Sequence, residues 1–377
     1  MTRQHALLSA SSAHRWLECP PSAVAAEAYE DQGSEFAAEG TLAHEVAEAY
    51  ARAGIHGDVG EIWKRMNEFP QEMKEHANAY NEYIQEHMKS QDAVVLLEQR
   101  VDFSDWVSDG FGTCDCIIIQ DDTLTIIDYK YGVGVPVSAV DNPQMRLYAL
   151  GALHDFGFAY DVEKVEMHIF QPRINNISDD SLTADELLIW AEKTVRPIAE
   201  KAVKGKGKYA AGSWCKFCPH AGRCRTLTRT CTEYVETHGL RVGVPVLAPH
   251  EVAEVLQKEA LISLWLKRVK AQAMDTLMDG GEVPGFKLVE GKMGNRKWTD
   301  ELQVAKALQE DGWPVEAYTE TKLLSPAAID KTLGKKKAAE LLADFIDRAP
   351  GAPTIAPETD KRPAYNRLAI AQEDFKE

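Results

Sequence analysis

Three apolar segments in the middle of the chain have the pattern of β-strands. They are AVVLLEQRVDF from Ala93, GFGTCDCIIIQ from Gly110 and DTLTIIDYKYG from Asp122. Short polar connections separate them, and apolar runs joined by short turns predict an antiparallel meander. A fourth strand-like segment, KVEMHIFQPR, begins at Lys164.

Helical patterns surround these strands. The opening LSASSAHRWLECP predicts a helical turn capped by Ser11 or Ser12 that ends before Pro20. Thr41 is the predicted N-cap of a helix in GTLAHEVAEAYARA. Further helices are predicted over about 70–89, 142–156, 183–204, 249–279 and 300–310. This order of elements predicts the α/β fold class, with helices packed on a mixed central sheet.

The composition changes after about residue 235. From there, helical patterns alternate with connections that contain Gly and Pro, and the end of the chain, APGAPTIAPETDKRPAYNRL, is Pro-rich. We therefore predict one domain over residues 1–235 and a mostly helical region of unknown role over residues 236–377.

The overall composition indicates a folded protein. The 377 residues are 45% apolar and include eight Trp, eleven Phe and twelve Tyr, more anchors than a disordered chain supplies. No run approaches the roughly 18–20 apolar residues of a membrane span, and the N-terminus lacks the apolar core of a secretion signal. We expect a cytoplasmic protein without a membrane partner, whose seven cysteines do not form a disulfide framework.

The net charge of −17 argues against nucleic acid as a partner only if charge is spread evenly. Between Lys193 and Arg229, however, Glu200 is the one carboxylate. That stretch contains ten basic residues: Lys193, Arg196, Lys201, Lys204, Lys206, Lys208, Lys216, Arg223, Arg225 and Arg229. We call it the basic strip, and it is a candidate surface for backbone phosphates.

Two aspartates and a lysine interrupt the apolar strands. Asp115 lies in the second strand, and Asp128 and Lys130 end the third, where their period-two spacing predicts one common face. Buried carboxylates need a partner or a cation, and open carboxylates suit Mg²⁺ or Mn²⁺. The alternative is an Asp–Lys salt bridge at a sheet edge, and this short motif alone does not separate the two interpretations.

Two predicted helices carry further candidates. His44 and Glu48 are four residues apart on one helix, and Gln144 and Tyr148 are four apart on another, so each pair shares a helix face. The segment at His44 lacks the second histidine of a zinc protease motif. Taken alone, each of these residues is more often an ordinary surface or core side chain.

The cysteines are the sharpest local signal. Cys215 and Cys218 form CxxC, Cys224 follows, and Cys19 beside Pro20 is an isolated candidate for a fourth ligand. Four thiolates hold either tetrahedral Zn²⁺ or an iron–sulfur cluster. His220 or Cys231 could instead complete a local zinc site, and cysteines without a metal are the remaining alternative. Cys114 and Cys116 flank Asp115, and strand alternation predicts that both point away from it as small buried residues.

Together these segments resemble the PD-(D/E)XK nuclease superfamily, in particular its RecB/AddB-like branch with a four-cysteine iron–sulfur cluster, which includes phage proteins. The matching segments occur in order over about residues 7–230: LSASSAHRWLECP, GTLAHEVAE, GFGTCD, IIDYKYG, QMRLY and WCKFCPHAGRC. Each segment alone is weakly specific, and the resemblance rests on their order. It implies a restriction-endonuclease-like core.

The resemblance also implies a role for each matching residue. His44, Asp115 and Asp128, with the Tyr129 carbonyl, would bind Mg²⁺ or Mn²⁺, and Lys130 would position the attacking water. Gln144 and Tyr148 would contact DNA. Cys19, Cys215, Cys218 and Cys224 would hold a [4Fe–4S] cluster, with zinc as the alternative. Glu98 would be a supporting acid near the metal. Asp128 stands where many members have Glu.

The implied function is a metal-dependent DNA nuclease, an exonuclease of recombination, repair or phage DNA processing. Its partners would be DNA and a recombination or single-strand-annealing protein. The alternatives are a non-catalytic DNA-binding protein that kept the fold and a metal-stapled nucleic-acid adaptor in which the carboxylates are structural. The sequence leaves open the polarity of digestion, the strand preference and the mode of cleavage.

Overall fold

A five-stranded mixed sheet forms the centre of the chain in a computed structural model. Its strands follow the order β1-β2-β3-β4-β5 in the sheet, and they are β1 (Val94–Asp102), β2 (Phe111–Gln120), β3 (Thr123–Tyr129), β4 (Lys164–Gln171) and β5 (Asn176–Thr183). The structure describes residues 6–29, 35–58, 60–90, 92–239, 249–288, 301–310, 315 and 337. The predicted α/β class is confirmed.

The strand directions follow from the connections. β1, β2 and β3 form the predicted antiparallel meander, and β3 pairs with β4 in parallel because the helix α5 (Pro143–Phe156) crosses between them. β5 then returns antiparallel to β4. The sequence did not predict β5, because NISDDSLT is polar and none of its side chains is fully buried.

The remaining helices agree with most of the predicted segments. They are α1 (Ala13–Glu18), α2 (Ser22–Ala26), α3 (Glu35–Ala51), α4 (Gln71–His87), α6 (Ala184–Trp190), α7 (Arg196–Ala202), α8 (Arg225–Gly239), α9 (Pro249–Met278) and α10 (Glu301–Glu310). Among the described helices, none combines the length and the apolar character needed to cross a bilayer.

Two predicted caps were wrong. Thr41 lies inside α3, which begins six residues earlier at Glu35. Ser12 does occupy the N-cap position of α1, but its hydroxyl donates a hydrogen bond to the Ser9 carbonyl at 3.2 Å and caps no backbone N–H. Serine and threonine at such positions compete between capping and local turn hydrogen bonds, which sequence alone does not decide.

Two hydrophobic cores cover the two faces of the sheet. The first core lies against α1, α5, α6 and α7 and includes Trp16, Ile117 and Leu187. The second core lies against α3 and α4 and includes Val46 and Ile84. The sheet is therefore apolar on both faces, as in other sheets that are covered by helices on each side.

β1 and β2 change faces partway along their length. Residues four apart in a strand normally share a face. Leu97 nevertheless packs in the second core and Val101 in the first. The change occurs at Glu98 in β1 and at Asp115 in β2. These two residues are not paired with each other, and the pairing of β1 with β2 has the same register before and after them.

This change of face corrects the prediction for two cysteines. Cys114 and Cys116 are both buried, as predicted, but Cys114 packs in the first core and Cys116 in the second. Simple alternation would have placed them on one face. The prediction failed because it assumed an uninterrupted strand through Asp115.

A third, smaller core contains the cysteine-rich segment. Cys215, Cys218 and Leu227 pack there against Leu261 and Trp265 of α9. The first compact unit accordingly extends over Met1–Gly291, and Lys292–Glu377 forms a second unit. The sequence analysis placed a boundary near residue 235. It did not include α9 in the first unit, because the apolar side chains with which α9 packs on the cysteines form no recognisable motif.

The central strand β2 offers a test of the fold. Ile117 is fully buried in the first core, and Ile177 on β5 is 55% exposed. We expect Ile117→Ala to lower the free energy of unfolding by about 2–5 kcal/mol, because the lost side chain leaves a cavity. Ile177→Ala is the matched control and should change it by less than about 1 kcal/mol. Chemical denaturation of the two variants measures the difference, and equal losses would contradict this packing.

Candidate metal and active site

The end of β3 carries a buried ion pair. Lys130 Nζ lies 2.8 Å from Asp128 Oδ2 and 3.1 Å from Oδ1, and Asp128 is only 1% exposed. The two residues are two apart, so the pleat of the strand sends both side chains to the same face, as predicted. The pair replaces part of the hydration that both charges lose on burial.

Asp115 lies beside this pair on β2. The last paired positions of β2 and β3 are Cys116 and Ile127, so the same register brings Asp115 opposite Asp128. Asp115 Oδ2 accepts a hydrogen bond from the Tyr129 N–H at 2.7 Å. This bond ties the carboxylate to the backbone between Asp128 and Lys130.

α3 brings the histidine to the same place. His44 Nδ1 lies 3.4 Å from Asp115 Oδ1, and the ring of His44 meets the ring of Tyr129 edge to face at 5.5 Å between centroids. His44 remains 32% exposed. One side of the imidazole therefore faces Asp115 while the site stays open to solvent.

Glu98 joins the group from β1. Ligand atoms of His44, Glu98 and Asp115 lie within 4.8 Å of one another, which makes them a candidate metal site among the described residues. Glu98 has a φ of 48°, in the left-handed region that a non-glycine residue of a strand rarely adopts. Strained backbone of this kind concentrates at functional sites.

The sequence had placed Glu98 only as a supporting acid and named Asp128 as a metal ligand. In the structure, Glu98 stands in the three-residue group and Asp128 faces Lys130. The available signal was a lone carboxylate in an apolar strand. The left-handed backbone that turns this carboxylate toward Asp115 leaves no trace in the residue pattern.

The charges of the site are strongly coupled. Burial alone would raise the pKa of Asp115, but His44, Lys130 and the Tyr129 N–H lower it below its usual value. Burial raises the pKa of Asp128 despite the attraction of Lys130. Burial lowers the pKa of Lys130, but the charges of Asp128 and Asp115 raise it, and the net result is a raised pKa. Lys130 is therefore held as an ammonium.

These residues fit a divalent cation. Asp128 Oδ2 is buried and lies 2.8 Å from the Lys130 ammonium, and Asp115 presents a second carboxylate beside it. Burial also raises the pKa of Glu98 to about 7, with the Asp115 carboxylate as the second cause. Carboxylates crowded around one imidazole are a donor set suited to Mg²⁺ or Mn²⁺.

α5 contributes the two remaining predicted residues. Gln144 Nε2 lies 3.4 Å from Asp128 Oδ1 and donates a hydrogen bond to the Tyr148 hydroxyl at 3.1 Å. Asn142 is the N-cap of α5, and its side chain accepts hydrogen bonds from the N–H groups of Gln144 and Met145 in the first turn. Gly112 makes room for the Tyr148 ring, because a Cβ at Gly112 would lie 2.6 Å from that ring.

The four predicted cysteines line one small cavity. Cys19 comes from the chain after α1, and Cys215, Cys218 and Cys224 come from the segment before α8. Two backbone N–H groups point at sulfur, Ala210 N to Cys19 Sγ and Leu227 N to Cys224 Sγ, both at 3.5 Å. The structure thus brings together thiols almost two hundred residues apart.

The alternative fourth ligands lie less favourably. His220 lines the cavity, but its Nδ1 lies 3.1 Å from the Tyr29 hydroxyl. Cys231 packs in the third core, outside the lining of the cavity, with its thiol near the Leu261 carbonyl.

The basic strip begins on the helices that cover the first core and ends on α8. Arg196 is already paired with Glu192 at 2.7 Å. At the other end, Arg223, Arg225 and Arg229 line an open groove of about 560 Å³ together with threonines. Arginines beside hydroxyls can bind phosphate oxygens.

The chain was compared with known proteins. The sequence model of one family, described as "Protein of unknown function (DUF2800)", matches residues 5–363. A solved structure titled "Crystal structure of SSO0001" is 18% identical over 58% of this chain and 84% of that chain, with a TM-score of 0.26. At that score the likeness supports no statement about fold or function.

The raised pKa of Glu98 predicts a pH-dependent stability. The folded protein holds the Glu98 proton to about pH 7, whereas the unfolded chain releases it near 4.5, so ionisation destabilises the fold as the pH rises between these values. In EDTA, Glu98→Gln should therefore raise the free energy of unfolding at pH 8 by roughly 1–2 kcal/mol and much less at pH 5.

Urea denaturation at the two pH values measures this effect. Glu163→Gln, at an exposed position, is the matched control and should show no such pH dependence. Added Mn²⁺ should stabilise the native chain more than Glu98→Gln, because a ligand that binds the folded state stabilises it. The same gain at pH 5 and pH 8 would contradict the assignment of Glu98.

Proposed function

We propose that this chain, which belongs to the DUF2800 family of proteins of unknown function, is a metal-dependent DNA nuclease with a PD-(D/E)XK, restriction-endonuclease-like core. The observation that carries the proposal is the convergence of His44, Asp115, Asp128 and Lys130. The imidazole lies 3.4 Å from one carboxylate and the ammonium 2.8 Å from the other. A salt bridge of purely structural value would not need the histidine or Glu98.

The proposed chemistry is hydrolysis of a phosphodiester bond by water. A bound Mg²⁺ or Mn²⁺ would supply a water of lowered pKa and polarise the phosphoryl oxygen. His44, Asp115 and Asp128, with the Tyr129 carbonyl, would hold the ion, and the position of Glu98 makes it a further ligand. These groups fit the ion because several carboxylate oxygens converge beside an imidazole, which can bind a metal ion in its neutral form.

Lys130 acts in this proposal as a cation. Its raised pKa makes it a poor acceptor of a proton, and its position beside Asp128 lets it orient a water and offset the charge that develops on the phosphate. Gln144, which contacts Asp128, and Tyr148 would hold the nucleotide next to the bond that breaks.

The cysteine cavity and the basic strip complete the proposal. A [4Fe–4S] cluster on Cys19, Cys215, Cys218 and Cys224 would join the N-terminal segment to the strip and have a structural role. The basic residues would bind backbone phosphates, while the acidic remainder of the chain repels DNA. We propose an exonuclease of recombination, repair or phage DNA processing, with DNA and a recombination or single-strand-annealing protein as partners.

A second candidate is a metal-stapled, non-catalytic nucleic-acid-binding protein, with Fe–S or zinc in the cavity. It is favoured by one observation, the arginine groove of Arg223, Arg225 and Arg229 directly after the cysteine cavity. That arrangement would bind phosphates whether or not the carboxylates react.

A nuclease assay separates the two candidates. The purified chain should release nucleotides from linear DNA labelled at the 5′ or 3′ end when Mg²⁺ or Mn²⁺ is present, and it should leave circular DNA intact. Lys130→Ala should lower the rate at least about 100-fold, because the charge that offsets the phosphate is lost. Lys164→Ala, at the far end of the sheet, is the control and should keep full activity. DNA binding without cleavage by the native chain in either metal would favour the second candidate, and cleavage by Lys130→Ala at the native rate would contradict the role given to Lys130.

The proposed staple has its own test. Cys218→Ser should lower the melting temperature by roughly 5–10 °C, because the link between distant segments is weakened. It should also reduce the iron content and the brown colour of protein purified without oxygen. Cys231→Ser is in the same core but outside the cavity lining, and it should keep the native iron content and colour. An unchanged iron content in Cys218→Ser, or zinc in place of iron, would contradict the cluster.

A further inference from the structure

The helix α9 packs on the rest of its unit along one face. Leu264 and Trp265 contact the third core, and Trp265 Nε1 donates a hydrogen bond to the Thr228 hydroxyl at 3.1 Å. From the same face, Arg268 donates a hydrogen bond to the Lys216 carbonyl. The helix has 30 residues, none of which is fully buried, and is about 45 Å long. One side of α9 is therefore anchored, and the other side faces outward.

The outward face of α9 is largely apolar. Eight of its positions follow one another at alternating spacings of four and three residues, and they are Val252, Leu256, Glu259, Ser263, Leu266, Lys270, Ala273 and Leu277. We call these positions the seam of α9. Such spacing is the repeat of a helix that packs lengthwise against another helix. Three of the large apolar side chains, Val252, Leu256 and Leu266, are between 42% and 55% exposed.

The apolar positions of the seam match one another when a second copy runs in the opposite direction. Antiparallel pairing brings the first position of one copy opposite the eighth position of the other, and the second opposite the seventh. Val252 then meets Leu277, and Leu256 meets Ala273. Each of these pairs forms twice, because the contact between two identical helices has two-fold symmetry.

The charged positions match in the same register. Glu259 is the third position of the seam and Lys270 the sixth, and both are exposed. Antiparallel pairing therefore places each Glu259 opposite Lys270 of the second copy, whereas a parallel pair would bring like charges together. Ser263 Oγ, which lies between them on the seam, donates a hydrogen bond to Glu259 Oε1 at 2.7 Å and so holds the carboxylate on this face.

This complementarity favours a second copy of the chain over other partners. A nucleic acid needs a row of positive charges, but Lys270 is the one cation of the seam and Glu259 is an anion. A helix that lies on a membrane has an apolar face flanked by many Lys and Arg, whereas a charged residue interrupts this apolar face at two places.

We propose that the chain forms a dimer in which two α9 helices pack antiparallel along their seams. The inference goes beyond the proposed nuclease function, because none of the seam residues belongs to the candidate metal site, the cysteine cavity or the basic strip. The dimer joins two copies of the unit that contains the sheet, with the two-fold axis between Ser263 and Leu266 of each helix.

Sedimentation velocity of the full chain, over a range of concentrations, tests this inference. The native chain should sediment with twice the mass of one chain. Leu266→Glu should raise the dissociation constant at least about 30-fold, because it buries a carboxylate of each copy beside the axis. Ile189→Glu, at a 50% exposed position of the helix α6, is the matched control and should keep the native dissociation constant.

Exchange of the two seam charges tests the antiparallel register. Glu259→Lys and Lys270→Glu should each raise the dissociation constant about tenfold, because each change converts two ion pairs into two pairs of like charge. The double variant that carries both changes should regain the native dissociation constant. A mixture of the two single variants should form mixed dimers, since opposite charges meet again in both pairs.

The outcomes decide between the seam and other arrangements. A native chain that is monomeric at every concentration overturns the proposal, since another occupant must then cover the face. Dimers of Leu266→Glu with the native dissociation constant overturn the assignment of the interface to α9. Single charge variants that associate as tightly as the native chain overturn the antiparallel register. The melting temperature of each variant, measured where it is monomeric, shows that a lost dimer is not a lost fold.

Discussion

The burial of charge at the end of β3 is the constraint on which the site depends. Asp128 is almost fully buried, and Lys130 Nζ lies 2.8 Å from one of its carboxylate oxygens and 3.1 Å from the other. Asp115 is held by a backbone N–H and by His44. Buried ionisable groups with perturbed pKa values beside specific charge partners are more common at functional sites than elsewhere in proteins.

The sheet is shaped to allow this arrangement. Where Glu98 and Asp115 meet, the ladder between β1 and β2 is interrupted and the two strands exchange faces. Both carboxylates then leave the regular alternation of apolar side chains and converge on α3. The local strain at Glu98 is tolerated because two separate cores hold the strands on either side.

The sequence predicted most of this framework, because the meander, the helix over 142–156, the fourth strand and the cysteine spacing each have a local signature. It missed β5, whose polar residues lack the apolar pattern of a strand. It also placed the start of α3 too late, because the helix already begins at Glu35, before Thr41. It placed His44, Asp115 and Lys130 together by resemblance. It could not predict that Glu98 lies among the candidate metal ligands. The left-handed backbone of Glu98 is set by tertiary packing and not by the residues next to it in the sequence.

The cysteine cavity constrains how the chain is made. Cys19 leaves the ribosome early, while its partners follow after nearly two hundred more residues, and the backbone of Ala210 contacts the first sulfur only once that length has emerged. Until then the N-terminal helix α1 lacks the segment that covers it. α9, which packs on the cysteine-rich segment, emerges later still, so a nascent chain contains the whole sheet before it contains every segment around the cavity.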